Sequence, residues 1–364
     1  MSSLARELGA INLAQGFPDY DPPQQLKQLV EHHVSIGNNQ YAHMAGVPSL
    51  REQIALKLQA SYRRRLDPES EITITLGATE AIFSAISALV HPGEDVIMLD
   101  PSYDSYAPAV ILAGGRPIRI PMRPPHFRID WDRVRAAVSP RLRLVMINTP
   151  HNPTGSIIPP AELDVLAEIL RPTDALVLAD EVYEHMVFGG AQHASIVAHA
   201  ELFERGIAVF SFGKSMHATG WRVGYGVARP DITQEIRRVH QFNTFSIAAP
   251  LQHAIADFLE LVPEHSAGLN VFYQRKRDTF LDALQGSHFR FTPASGTYFQ
   301  LLDFSDISQQ PDVEFADWLV REVGVASIPV SPFYAAAPPL TVVRLCFAKN
   351  DSTLEQAAER LRRI

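Results

Sequence analysis

The sequence predicts an α/β fold built on a mainly parallel sheet, and three observations carry that reading. Short apolar runs recur through the middle of the chain: "EITITL", "DVIML", "LRLVMIN", "ALVLA" and "IAVFSF". Patterns with helical spacing lie between several of them: "TEAIFSAISALV", "DWDRVRAAV" and "PAELDVLAEIL". Each apolar run gives way at once to a polar or glycine-bearing motif. Runs with no polar alternation belong to strands buried on both faces, and strands alternating with helices belong to parallel sheets covered by helices.

The elements follow in order. "INLAQGFPDYDPP" is rich in Pro and Gly and reads as a loop crossing between two parts of the chain. "EITITL" leads into "GATE", which opens a helix; "DVIML" leads into "DPSYDSY", "LRLVMIN" into "TPHNPTG", "ALVLA" into "DEVYEH" and "IAVFSF" into "GKS". In open α/β sheets ligands sit beyond the carboxyl ends of the strands, where all five motifs fall. After about residue 250 the pattern changes. A long helical stretch is interrupted near Pro263, then come "FRFTPAS", "GTYFQLLDF", the helix "DVEFADWLVREVG", "VASIPVS", the strand "LTVVRLCFA" and a closing helix "STLEQAAERLRRI". That reads as a smaller α+β unit.

The bulk numbers narrow the classes of function. At 364 residues the chain is long enough for two domains. A formal net charge of −8 leaves no basic surplus for a nucleic-acid partner. No uncharged apolar stretch has the length of a membrane span, and the first residues carry no signal-peptide core. The one cysteine, Cys346, allows no disulfide within the chain, which fits a reducing, cytoplasmic setting.

Five lysines occur in the chain, and Lys214 is the one out of place. Lys27 and Lys57 lie in polar helical patterns, Lys276 in a charged run, and Lys349 in an apparent loop. Lys214 falls where a buried strand ends, and an ammonium there is costly to desolvate unless it is used. Gly77, Ala78 and Thr79 offer backbone N–H groups at a helix start, a phosphate-binding arrangement or an ordinary cap. Asp180 ends an apolar run and needs a cation or several donors; a protonated pyridine nitrogen would serve, as would a capping role. Tyr183 would face the same way through a helical turn. Asn152 sits in a rigid Pro/Gly loop or a simple turn. Ser211 and Arg222 flank Lys214, and a guanidinium can hold a phosphate bidentately. Arg344 interrupts the strand "LTVVRLCFA": it faces solvent, or it is buried and takes a substrate carboxylate as partner.

Together "SFGKSMHATGWRVGYG", "NTPHNPTG", "DEVYEH", "GATEAIF" and "NQYAHMAGVPSLRE" resemble, in order, the motifs of the class I/II aminotransferases, fold type I enzymes that depend on pyridoxal 5′-phosphate. "PPHFRIDW", "LDPSYDSYAPA", "SGTYF" and "VVRLCFAK" point to the branch holding methionine, kynurenine and glutamine aminotransferases. The resemblance implies a large domain (37–268) with a mostly parallel seven-stranded sheet containing one antiparallel strand, and a small domain from both chain ends (1–36 and 269–364). It implies that Lys214 forms an imine with the cofactor and shuttles the Cα proton, and that Asp180 pairs with the pyridine nitrogen. Tyr183 and Asn152 would hold the ring hydroxyl and Tyr103 would stack on the ring. Gly77, Ala78, Thr79, Ser211 and Arg222 would bind the phosphate, joined by Tyr41 of the neighbouring subunit in a homodimer with shared active sites. Arg344 and Asn152 would grip the substrate carboxylate near Gly16, and Phe17, Tyr20 and Phe245 would line the side-chain pocket. Family members usually carry a further segment before the stretch matching "SSLARELGAINL", where Met1 stands here; either the chain is short or its start is assigned late, and the resemblance does not extend to that arm's part of the dimer contact and entrance lid.

The implied activity is transfer of an amino group from methionine or an aromatic amino acid to a 2-oxo acid in two half-reactions. Kynurenine transamination and cysteine-conjugate β-elimination use the same scaffold. From a different class, a non-catalytic regulator that binds pyridoxal phosphate would keep the same pocket.

Overall fold

The computed structural model describes residues 1–364. Seven strands form the main sheet, in the spatial order 72–75, 224–228, 206–211, 176–180, 142–148, 95–100, 116–121. Six run parallel to one another; Gly224–Ala228 is antiparallel to both its neighbours. The fold is α/β with helices on both faces. Two strands were not evident from the apolar runs, Arg116–Pro121 and Gly224–Ala228. The first is an edge strand whose arginines and prolines break any apolar run, and the second is interrupted by glycine.

Alternation inside each strand explains the uninterrupted apolar runs. Val96 and Met98 join one core cluster while Ile97 and Leu99 join another. Leu144 and Met146 part from Val145 and Ile147 in the same way, as do Ile207 and Val209 from Ala208 and Phe210. Period-two pleating therefore points neighbours to opposite faces, and helices such as Gly77–Leu89 on one face and Pro160–Leu170 on the other keep both dry.

A second, three-stranded antiparallel sheet holds Ile328–Pro329, Val342–Cys346 and Phe299–Asp303, with Val342–Cys346 in the centre. Ile11–Asn12 pairs with Val325–Ala326, so the N-terminal segment is built into the C-terminal part. A 27-residue apolar cluster joins Leu13 to residues between Leu269 and Leu361, and it includes Tyr183 and Met186 from the main-sheet side. The helices Ala249–Leu261 and Glu264–Ala283 are separated near Pro263, and the second runs without a break across residues 268 and 269.

Register decides where the motifs meet. Asn148 pairs with Asp180, so two parallel strands end level, and Asp180 pairs with Val209, two residues before the third strand ends at Ser211. Asn152 and Tyr183 follow within four residues of such an end, and Lys214 follows just past the end of Gly206–Ser211. The antiparallel strand starts at the same edge: Gly224 lies opposite both Thr75 and Ser211. That reversal delivers Arg222 to the edge where Gly77 opens its helix.

Candidate active site

Lys214 follows the strand Gly206–Ser211 on a single helical turn, Phe212–Ser215. Its Nζ donates to the Tyr298 hydroxyl at 3.0 Å and lies 5.7 Å and 5.6 Å from the ring centres of Tyr183 and Tyr298. Burial pulls the amine down to about 8; the charges of Arg222 and Arg344 act the same way, against that of Asp180. A lysine in that state is part-neutral near neutral pH.

Asp180 is 6% exposed. Burial pushes its carboxyl up to about 6, against the hydrogen bonds from Tyr106 Oη and the Val182 N–H and the charge of Lys214. It lacks a close cationic partner of its own, so a protonated ring nitrogen would complete it. Tyr183 is buried with its ring edge-on to Tyr298, centroids 5.2 Å apart, and burial raises its hydroxyl.

The phosphate-side residues converge. A Cβ on Gly77 would stand 2.7 Å from Arg222 Nη2, and Gly77 takes a φ of +70°. A Cβ on Gly224 would meet the Ala78 nitrogen at 2.8 Å, with Ser211 paired opposite Gly224. Arg222 itself has a φ of 57° and donates to the Thr219 carbonyl at 3.1 Å. Tyr103 lies half-buried beside this helix start, and burial pushes the titration of its hydroxyl upward. The result is a cradle with glycine where backbone and guanidinium crowd, open N–H groups at a helix start and one fixed cation.

Arg344 sits in the central strand of the small sheet and is 7% exposed. Its Nη1 donates to Asn152 Oδ1 at 2.7 Å and its Nη2 to the Ala14 carbonyl at 3.2 Å, while Nε is buried without a partner. The guanidinium stacks 4.0 Å from the Phe299 ring centre. Asn152 is held in turn: its N–H donates to Asn148 Oδ1, and Asn148 Nδ2 donates to the Asp180 carbonyl, both at 2.8 Å. The Asn152–Pro153 and Thr149–Pro150 bonds are cis.

The pocket candidates divide. Gly16 is pinned: its carbonyl accepts from Tyr298 Oη at 2.7 Å, and a Cβ there would strike the Phe299 ring at 2.5 Å. Phe17 is held by Lys349, whose Nζ donates to the Phe17 carbonyl at 2.7 Å. Tyr20 donates to the Tyr273 hydroxyl at 3.1 Å and stands edge-on to His217. Tyr41 and Phe245 stay apart from the rest: they pack edge to face, 84% and 43% exposed. A cavity of about 700 Å³ lies elsewhere, lined among others by Met122, His126, His151, Ile158 and Arg290, and contains none of the expected residues.

Sequence reasoning missed Tyr298, Tyr106 and Phe299. The motifs "GTYF" and "DSYAP" held them, but a tyrosine in an apolar run signals only packing. The lysine reading also needs correction. Lys57 is largely but not fully buried, its side chain 13% exposed, and is bonded to Glu184 and, at 2.9 Å, to the Tyr225 hydroxyl. Lys276 and Lys349 are buried too, the former donating to the Lys349 carbonyl at 2.8 Å. All three find oxygen partners that sequence spacing cannot show.

Residues 9–361 match the family described as aminotransferase class I and II. This chain belongs to that family. It is a transaminase, and pyridoxal 5′-phosphate is its cofactor. Methionine aminotransferase of Escherichia coli strain K12 is 51% identical over 364 residues, covering 100% of this chain and 94% of that protein. The solved structure of YbdL from Escherichia coli, identified there with a methionine aminotransferase function, superposes with a TM-score of 0.98 at 51% identity, covering 100% of this chain and 96% of that one. Kynurenine–oxoglutarate transaminase 1 of Rattus norvegicus is 31% identical over 395 residues, covering 99% and 93%. The residues fit the cofactor: the Gly77–Arg222 cradle suits a phosphate, buried Asp180 suits a ring cation, and the low-titrating Lys214 suits its aldehyde. No helix is long and apolar enough to cross a membrane.

Proposed function

We propose that this aminotransferase takes its amino group from methionine or an aromatic amino acid and passes it to a 2-oxo acid, with Lys214 as the proton-moving base. The observation that carries the substrate side is the buried Arg344, bonded to Asn152 on one edge with Nε left open. An amino-acid carboxylate supplies what that edge lacks. The aromatic character of Phe17, Tyr20 and Phe245 supports an apolar donor side chain, as does the 51% identity to a methionine aminotransferase.

When bound, the cofactor supplies an electron sink that stabilises negative charge at the substrate Cα. The chain does the rest. Asp180 keeps the ring nitrogen charged from the level sheet edge. Asn152 and Tyr183 hold the ring hydroxyl, and Tyr103 covers the ring face. Gly77, Ala78, Thr79, Ser211 and Arg222 fix the phosphate. Arg344 orients the carboxylate so that the Cα–H bond stands toward Lys214, and Lys214 Nζ takes that proton. Burial holds the amine near 8, so a useful fraction is neutral at about pH 7 to 8.

The working unit is a homodimer with shared active sites, in which the exposed Tyr41–Phe245 pair of one subunit completes the other's pocket. The division into 37–268 and 1–36 with 269–364, and a cytoplasmic setting consistent with the buried free thiol of Cys346, belong to the same reading. A half-reaction screen tests it. The loaded protein is mixed with single amino acids and conversion of its absorbance is followed. Methionine, phenylalanine and tyrosine should convert it fastest; preference for a dicarboxylic donor by tenfold or more would refute the donor assignment.

A further inference from the structure

We propose that Tyr298 is a positioning residue for Lys214: its hydroxyl is a one-way acceptor that holds the lysine amine against the N-terminal segment at Gly16. The proposal rests on the transaminase reading above, since it takes Lys214 as the group that moves the proton.

Direction of donation is the core of it. A tyrosine hydroxyl carries one proton. Tyr298 spends that proton on the Gly16 carbonyl, 2.7 Å away. Burial keeps the hydroxyl protonated far above its ordinary range. The oxygen can therefore meet Lys214 Nζ, at 3.0 Å, only as an acceptor. One N–H of the amine is tied down, and the lone pair of the neutral form is left to point away from Tyr298.

The ring has no freedom to swing off. Tyr298 is fully buried, edge-on to Tyr183 at 5.2 Å and to Phe299 at 4.9 Å, and tilted against Tyr273 at 5.8 Å. Gly16 is equally fixed, because a side chain there would overlap Phe299. The segment around Gly16 also accepts from Arg344 through the Ala14 carbonyl and from Lys349 through the Phe17 carbonyl. Tyr298 thus ties the amine to the same stretch of backbone that touches the substrate-side arginine.

The groups that face Lys214 are Asp180 and Tyr183 beyond one strand, Arg222 before the antiparallel strand, Arg344 and Cys346 on the small sheet, and Tyr298. Of these, Tyr298 is the one hydrogen-bonded to it. An acceptor bonded to an amine favours its charged form, whereas burial disfavours it. Removing the hydroxyl and loosening the packing should therefore move the amine in opposite directions, which separates a positioning role from a structural one.

The test uses Tyr298→Phe in the full-length chain. With cofactor removed, Lys214 is trace-labelled with acetic anhydride across about pH 6 to 10 and read by mass spectrometry. The amine should titrate about half a pH unit or more below the wild type, and label about threefold faster at pH 7. With cofactor restored, kcat for methionine should fall about five- to tenfold with KM within twofold. An unchanged titration, or one that rises toward the ordinary lysine value, overturns the proposal, as does an unchanged kcat. If the Phe variant melts early, both proteins are titrated at a temperature below its melting, where the same downward shift is expected. A Lys214→Ala control isolates the premise: if that variant still transaminates, the reading of Lys214 has failed, whereas a dead control beside an unaltered Tyr298→Phe fails Tyr298 alone.

Discussion

Arg344 Nη1 donates to Asn152 Oδ1 across 2.7 Å, joining the central strand of the small sheet to the loop beyond the main-sheet strand Leu142–Asn148. The bond crosses between the two sheets where substrate would lie. Replacing Arg344 by Lys keeps a charge but loses the planar fork that reaches Asn152 and a carboxylate together. Arg344→Lys should lower kcat/KM for methionine by about 2 kcal/mol, roughly thirtyfold. Equilibrium binding of the cofactor should not change. Steady-state kinetics beside a cofactor titration check this, and equal losses in both would point to general disruption.

Gly77 tests the cradle. Its φ of +70° is unfavourable for alanine, and the new Cβ would stand 2.7 Å from Arg222 Nη2. Gly77→Ala should push the guanidinium out and weaken cofactor binding by about 1.5–3 kcal/mol, roughly 10- to 150-fold in Kd. Fluorescence titration of the cofactor-free protein measures it. An unchanged Kd would remove Arg222 from the phosphate site.

Asp180 gives a pH prediction with a definite sign. Its carboxyl stands at about 6 in the folded chain against an ordinary 3.8, chiefly from burial. The folded state therefore binds the proton more tightly than the unfolded one. That stabilisation is full below about pH 4 and is lost as pH rises through about 6. Melting of the cofactor-free protein should show the loss between those values. Asp180→Asn, neutral throughout, should flatten it. A variant curve with the wild-type slope would assign the effect to other groups.

The ion pair behind Tyr183 is structural. Burial pushes the Glu184 carboxyl up, but the charges of Lys57 and His185 and the hydrogen bonds from Lys57 and Tyr62 outweigh it and hold it at about 2. Its stabilisation is present above about pH 4.5 and is lost as pH falls through about 2. Lys57→Met strands that carboxylate in the interior and should cost about 3–5 kcal/mol. Denaturant unfolding at pH 7 checks the cost. A loss below about 1 kcal/mol would show that Glu184 finds water or another partner.

Much of this was legible in the sequence, for physical reasons. Strands buried on both faces write themselves as unbroken apolar runs, so the motifs after "LRLVMIN", "ALVLA" and "IAVFSF" fell at one edge of one sheet. Arg116–Pro121 was hidden because an edge strand tolerates charge and proline. Gly224–Ala228 was hidden because close packing on Ala78 and Phe210 demands glycine where a strand pattern demands bulk. Tyr298 and Tyr106 escaped because a hydroxyl's partner 84 or 74 residues away leaves no local spacing. The partners of Lys57, Lys276 and Lys349 were hidden in the same way, since tertiary oxygens decide which lysines can be buried.

The most direct test is a single-turnover experiment on Lys214→Ala. The variant and the wild type are each loaded with cofactor and mixed with saturating methionine, and absorbance is followed through one half-reaction. The wild type should convert within seconds. The variant should lack the absorbance of lysine-bound cofactor and fall by at least about a hundredfold in rate. Conversion by the variant at the wild-type rate would show that another group takes the Cα proton, and would contradict Lys214 as the proton-moving base.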